Sequence, residues 1–145
     1  MAMVKKIKVD TKWIENFLIE VKARNHIIYV DQPEDSGGKN KGITPLEHLL
    51  AALGSCICSM AVIIAKQKNI ELKNFDVSVE GEIDYDVLLG KSKQPRPGFY
   101  KIVVKVKLDA ALTDIEKKEF IKEIQSRCPV ADGLMNITPL EVIIE

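Results

Sequence analysis

Apolar and polar residues alternate along much of the first thirty positions. Lys5-Lys6-Ile7-Lys8-Val9 alternates, and so does Phe17-Leu18-Ile19-Glu20-Val21-Lys22. A turn at Ala23-Arg24-Asn25 then leads into His26-Ile27-Ile28-Tyr29-Val30, a run rich in β-formers. A two-residue period gives a strand one apolar face, so two or three antiparallel strands are expected here. From Gln32 to Gly42 the period disappears into proline, glycine and polar residues around Gly37-Gly38, the composition of a surface loop. The period then changes. Thr44-Pro45-Leu46-Glu47 supplies a threonine N-cap, a proline at the first helical position and a glutamate that closes a capping box. A helix is expected from there to about Lys68, and its 17 residues from Leu49 to Ala65 carry no charge.

Alternation returns at Phe75, Val77, Val79, Gly81 and Ile83, with charged and polar residues between them. It resumes at Tyr100, Ile102, Val104, Val106 and Leu108 after an exposed basic loop, Gly90 to Gly98, which contains Lys91, Lys93 and Arg96. These two runs predict a hairpin with one wet face. Thr113-Asp114-Ile115-Glu116 is a second capping box, opening an amphipathic helix whose apolar stripe is Ile115, Phe120, Ile121 and Ile124. It ends before Pro129, and Leu140-Glu141-Val142-Ile143-Ile144 is expected to close the chain as a strand. The order β-β-β-α-β-β-α-β describes a segregated α+β domain with a long central helix against an antiparallel sheet. At 145 residues, one domain spanning 1–145 is expected.

The uncharged helix raises two questions, since a helix apolar all round must be covered by protein or by lipid. Seventeen residues reach only the lower limit for crossing a bilayer. Gly54, Ser55, Ser59 and two cysteines interrupt the run, amphipathic strands flank it, and no aromatic anchors mark its ends, so the protein reading is preferred to the membrane one. One sheet from this chain covers one side. The other side is expected to meet a second copy, giving a homodimer.

Charge and cysteine count narrow the chemistry. Lysine plus arginine and aspartate plus glutamate both total 21, so the net charge is zero and no broad basic field invites nucleic acid. Three cysteines are too few and odd in number for a secreted disulfide framework, and the N-terminus lacks the pattern of a signal peptide. A cytoplasmic protein with free thiols is expected. Cys128 precedes Pro129, which can open a short helix over Val130 to Met135 with Cys128 at its cap. There, unpaired N–H groups would stabilise a thiolate. The plainer reading is a small apolar residue filling a helix junction. Cys56 and Cys58 lie inside the long helix with no cap to help them, about 200° apart around it, so they cannot pair with each other. Both can be read as core residues. His48 stands two turns before Cys56, yet no Cys-x-x-Cys or His-x-x-x-His pair accompanies it, so no metal and no cofactor is expected.

Pro45-Leu46-Glu47-His48-Leu49-Leu50-Ala51-Ala52-Leu53-Gly54-Ser55-Cys56, followed some seventy residues later by Cys128-Pro129-Val130, resembles the osmotically inducible protein C/organic hydroperoxide resistance (OsmC/Ohr) family. Val30-Asp31-Gln32-Pro33, Gly37-Gly38 and Thr138-Pro139-Leu140-Glu141-Val142 extend the likeness over most of the chain. The resemblance implies an intertwined α+β homodimer with its active site at the subunit interface, and thiol-dependent reduction of small organic hydroperoxides. On that basis Cys56 would be the peroxidatic nucleophile, Cys128 the resolving thiol, and a dithiol the reductant. The family adds an arginine from the N-terminal strands, for which Arg24 is the candidate, and a glutamate at the start of the long helix. The dedicated hydroperoxidases carry that glutamate directly after the proline. This chain has Leu46 there and Glu47 one step later, about 100° around the helix, as in the general OsmC-like branch. Glu47 is thus a candidate both for the site and for the capping box alone. The alternative function is a non-catalytic module that binds a small apolar ligand at the dimer interface.

Overall fold

The computed structural model describes residues 1–145. Along the chain lie β1 (Asp10–Glu15), β2 (Leu18–Ala23), β3 (His26–Val30), a 3-10 turn (Glu34–Ser36), α1 (Pro45–Lys68), β4 (Leu72–Glu82), α2 (Tyr85–Leu88), β5 (Lys101–Ala110), α3 (Asp114–Arg127) and α4 (Pro129–Met135). The fold is α+β, with two antiparallel sheets and one long helix. Two compact units are distinguished, residues 1–49 and 50–145.

In the N-terminal unit β1, β2 and β3 form an antiparallel sheet in that order. The expected strand over Lys5–Val9 is displaced to Asp10–Glu15. The register explains why: Asp10 pairs with Lys22, one residue from the end of β2, so the residues before Asp10 run past their partner strand with nothing left to bond. The turn at Arg24-Asn25 is as short as a hairpin allows, since Ala23 pairs with His26, and Arg24 adopts a left-handed φ of 55°. The following loop is organised by Asp31, which is 2% exposed. Its carboxylate accepts the backbone N–H groups of Gln32 (2.8 Å), Lys39 (3.2 Å) and Lys41 (3.1 Å). Burial raises its pKa, but these three hydrogen bonds and the charge of Lys39 outweigh that and hold the carboxyl below its ordinary value. Gly38 is required where the loop closes, because a Cβ there would lie 2.0 Å from the carbonyl oxygen of Gln32.

The C-terminal unit is built on the β4–β5 hairpin, registered Val77 with Val106, Val79 with Val104 and Gly81 with Ile102. The alternation read from the sequence sets its half-buried face, and α1 lies on that face through Leu53, Ile57, Ala61 and Ile64, spaced at helical intervals. Gly54 permits the close approach: a Cβ there would be 3.2 Å from Val79 Cγ2. The second capping box forms, with Thr113 and Glu116 holding each other's backbone N–H groups, and α3 adds Phe120 and Ile124 to the same core. Phe120 meets Phe75 edge to face at 6.4 Å. Glu123 on α3 pairs with Lys68 and Arg127, whose guanidinium also reaches Gln67 at 3.0 Å, fastening α3 to the end of α1.

Two further sequence expectations differ here, while the one-sided covering of α1 is as expected. Ile115 is 72% exposed, because it lies in the first turn of α3, ahead of the stripe that meets the core. The tail from Leu140 to Ile144 pairs with no strand of this chain and Val142 is 83% exposed; alternation provides two faces but not a bonding partner. The helix α1 is covered on one side only, with Val62 and Ile63 on the open side. The short α2 was not anticipated. Asp84 caps it by accepting the Asp86 N–H at 2.9 Å.

Candidate active site

Cys56 lies in the middle of α1, and Cys128 at the junction of α3 and α4, 72 positions away. The fold brings their sulfurs to 3.0 Å. A disulfide would require about 2.05 Å, and both cysteines are free, so these are two reduced thiols in contact. Their surroundings differ. Cys128 is 1% exposed and belongs to the core cluster, whereas Cys56 is only partly covered. An oxidant arriving from solvent therefore meets Cys56 first.

Local sequence explains the placement of Cys128. Pro129 ends α3 and, having no N–H to lose, opens α4, leaving Cys128 as its N-cap with an extended backbone at φ −78° and ψ 110°. In that position Cys128 Sγ accepts the Ala131 N–H at 3.5 Å. The cap expected from the Cys-Pro dipeptide is thus present. Less expected is that the same helix end serves Cys56, because the Val130 N–H acts on its sulfur and favours the thiolate. Sequence reasoning left Cys56 without a cap, since nothing local shows that the start of α4 abuts the middle of α1. Burial is nevertheless the dominant influence on Cys56 and the adjacent Cys128 adds to it, so the Cys56 thiol titrates above the ordinary thiol range. This environment favours the Cys56 thiol over its thiolate.

The other candidate residues lie in the N-terminal unit or elsewhere on α1. Glu47 is engaged in the first turn of α1: its Oε2 accepts the Thr44 N–H at 2.7 Å, and its own N–H donates to Thr44 Oγ1 at 3.2 Å. Arg24 is exposed at the β2–β3 turn and takes part in no ion pair. The buried Nε2 of His48 has no hydrogen-bond partner. Cys58, half-buried, makes no bond to another cysteine.

The C-terminal unit also holds a cavity of about 480 Å³, which neither Cys56 nor Cys128 lines. Leu53 and Ile57 of α1 and Ala131, Leu134 and Met135 of α4 contribute to its wall. Two of these are neighbours of the cysteines in other ways: Ile57 follows Cys56 in sequence, and the Ala131 backbone N–H binds Cys128. The geometry combines a partly accessible thiol, a buried second thiol in contact with it, and helix N–H groups that act on both. Such an arrangement can store two electrons as a dithiol and release them as a disulfide.

The sequence profile of the OsmC-like protein family matches residues 38–143. The chain belongs to that family. Among relatives of this OsmC-like protein is a protein of Mycoplasma pneumoniae named hydroperoxide reductase, 27% identical over 105 residues, covering 70% of this chain and 69% of the relative. The crystal structure of an OsmC-like protein from Mycoplasma pneumoniae superposes with a TM-score of 0.81 at 24% identity, covering 93% of this chain and 91% of the other. An organic hydroperoxide resistance protein OsmC from Legionella pneumophila superposes with a TM-score of 0.64 at 16% identity, covering 92% and 91% respectively. The fold and the family expected from the helix-opening motif and the Cys56/Cys128 spacing are thereby established for this OsmC-like chain.

Proposed function

We propose that the protein is a two-cysteine peroxidase that reduces organic hydroperoxides with electrons from a dithiol, in defence against oxidative stress in the cytoplasm. The observation that carries the reading is the 3.0 Å contact between a partly exposed and a fully buried thiol. Family membership and the hydroperoxide reductase named among the relatives support it.

In the proposed reaction the Cys56 thiolate attacks the distal peroxide oxygen. The O–O bond breaks, the leaving oxygen takes a proton and departs as the alcohol, and Cys56 becomes a sulfenic acid. The Cys128 thiol then attacks that sulfur, forming the Cys56–Cys128 disulfide and releasing water. An external dithiol reduces the disulfide, restoring both thiols and itself becoming oxidised. Because burial favours the Cys56 thiol over its thiolate, a nearby cation would promote the attack, and Arg24 is our candidate on the strength of the family resemblance. Glu47 is proposed to orient that cation in addition to capping α1. A homodimer is part of the same reading: the open side of α1 and the unpaired apolar tail are surfaces a second copy would cover.

One observation favours the rival reading, a module that only binds a small apolar ligand: the carboxylate of Glu47 is already committed to the Thr44 N–H. Cumene hydroperoxide consumption with dithiothreitol separates the two. The parent protein should consume it and Cys56→Ser should not; equal rates would discard the peroxidase assignment, and a ligand retained in native mass spectrometry with no turnover would favour binding.

A further inference from the structure

Cys56 lies on α1 and Cys128 caps the end of α3, and these two helices are joined a second time by a polar network. Gln67 and Lys68 are the last two residues of α1, and Arg127, the last residue of α3, immediately precedes Cys128. Glu123 links them. One of its carboxylate oxygens pairs with Lys68 Nζ and the other with Arg127 Nη1 at 3.1 Å, and the same Nη1 donates to Gln67 Oε1 at 3.0 Å. The hydrogen bond from Lys68 holds the Glu123 carboxyl below its ordinary value despite partial burial, and Arg127 adds to it, so the group is charged at neutral pH. No other ion pair in the chain joins two helices. Core packing ends one turn short of the cysteine: Ile124 is fully buried, whereas Gln125, Ser126 and Arg127 are exposed. The last turn of α3, which delivers Cys128, therefore has Glu123–Lys68 and Arg127–Gln67 as its polar ties to α1.

We propose that Glu123 and Lys68 are positioning residues for the thiol pair: by fixing the end of α3 against the end of α1 they hold Cys128 at its 3.0 Å approach to Cys56 and raise the effective concentration of each thiol toward the other. Its bearing on turnover rests on the peroxidase reading. There the network speeds the attack of the Cys128 thiol on the Cys56 sulfenic acid, which forms the S–S bond and releases water, before a second hydroperoxide oxidises that sulfur to the sulfinic acid and leaves as its alcohol. The side chains of Lys68 and Glu123 are 55% and 27% exposed, so the contribution is that of one good solvent-edged pair, about fivefold, and it weakens as salt is added.

The test equilibrates the full-length protein with oxidised and reduced glutathione and reads the fraction of chains carrying the Cys56–Cys128 cross-link. Two protein thiols and one glutathione disulfide give the protein disulfide and two glutathione thiols, so the balance reports the effective concentration directly. Support that merely stabilised the fold would act alike on the dithiol and the disulfide and leave this balance unmoved. In Lys68→Met and in Glu123→Met the disulfide should be disfavoured by about fivefold relative to the parent, and the double variant should lose little more than either single one, because both break one contact. Lys68→Arg, which keeps the charge, should retain most of the parent's balance, and Lys122→Met, which removes a neighbouring cation in no ion pair, should leave it unchanged. An unmoved balance in Lys68→Met and Glu123→Met, or an equal shift in Lys122→Met, overturns the proposal. With excess cumene hydroperoxide, Cys56 sulfinic acid should accumulate in Lys68→Met at about fivefold lower peroxide than in the parent; the same threshold in both overturns the role in turnover. If the glutathione balance shifts as stated while no hydroperoxide is consumed, the peroxidase reading fails and the positioning role stands.

Discussion

Oxidation of the C-terminal unit should stabilise it, and the size of the effect follows from the chain between the two sulfurs. Cys56 and Cys128 are 72 positions apart. Closing a loop of that length removes about 15 cal/mol/K from the unfolded ensemble in the chain-entropy account, or about 4 kcal/mol at 25 °C. Two terms reduce this: the sulfurs must close from 3.0 Å to bonding distance, and Cys128 Sγ must share its role as acceptor for Ala131 N–H with a new covalent bond. A gain of about 2–4 kcal/mol is therefore expected, equivalent to a melting shift of roughly 10 °C for a chain of this size. The assay is guanidinium unfolding of protein oxidised with one equivalent of cumene hydroperoxide, against the dithiothreitol-reduced form, with Cys56→Ser treated identically as the control. The oxidised parent should unfold at higher denaturant and the control should not move. An oxidised form that unfolds at the same or lower denaturant would mean that the native geometry must be broken to make the bond, and the picture of two thiols poised for pairing would be refuted.

Other consequences can be checked independently. Cys128→Ala removes one of the influences that hold the Cys56 thiol up, so the pH at which iodoacetamide alkylation of Cys56 reaches half its plateau should fall; no change or a rise would contradict the assigned cause. Arg24→Met should move the same midpoint upward if Arg24 is the activating cation. Thr44→Ala should cost about 1 kcal/mol through the lost N-cap, whereas Glu47→Gln, which can still close the box, should leave stability nearly intact. A large loss of peroxidase rate in Glu47→Gln would then assign the carboxylate a role beyond capping, and full activity would confine it to the cap. Asp31 has a native pKa below its unfolded value, so its contribution is complete above pH 3.8 and is lost as pH falls through the native value. The amide resonances of Lys39 and Lys41 should shift together in that acid range in the parent and stay flat in Asp31→Asn.

The elements that were legible in the sequence are those whose signals are local. Thr44-Pro45-Leu46-Glu47 and Thr113-Asp114-Ile115-Glu116 each start a helix where the capping chemistry says it should, and Cys128-Pro129 ends one helix and begins the next. Valine alternation fixed the inner face of the β4–β5 hairpin. What was not legible depends on partners. Lys5–Val9 and Leu140–Ile144 alternate as strands do, but β2 is too short to reach the first and no strand of this chain pairs with the second. At the site, the cap on Cys128 could be read from Pro129, whereas the Val130 N–H acting on Cys56 depends on how α4 meets α1.

The most direct test of the redox pair is the mass of the reduced protein after one equivalent of organic hydroperoxide, followed by proteolysis without reductant. The account predicts a chain lighter by two hydrogens and one cross-linked fragment joining the peptides of Cys56 and Cys128, with Cys58 still free. A chain heavier by oxygen with Cys128 unmodified, or a cross-link through Cys58, would contradict it.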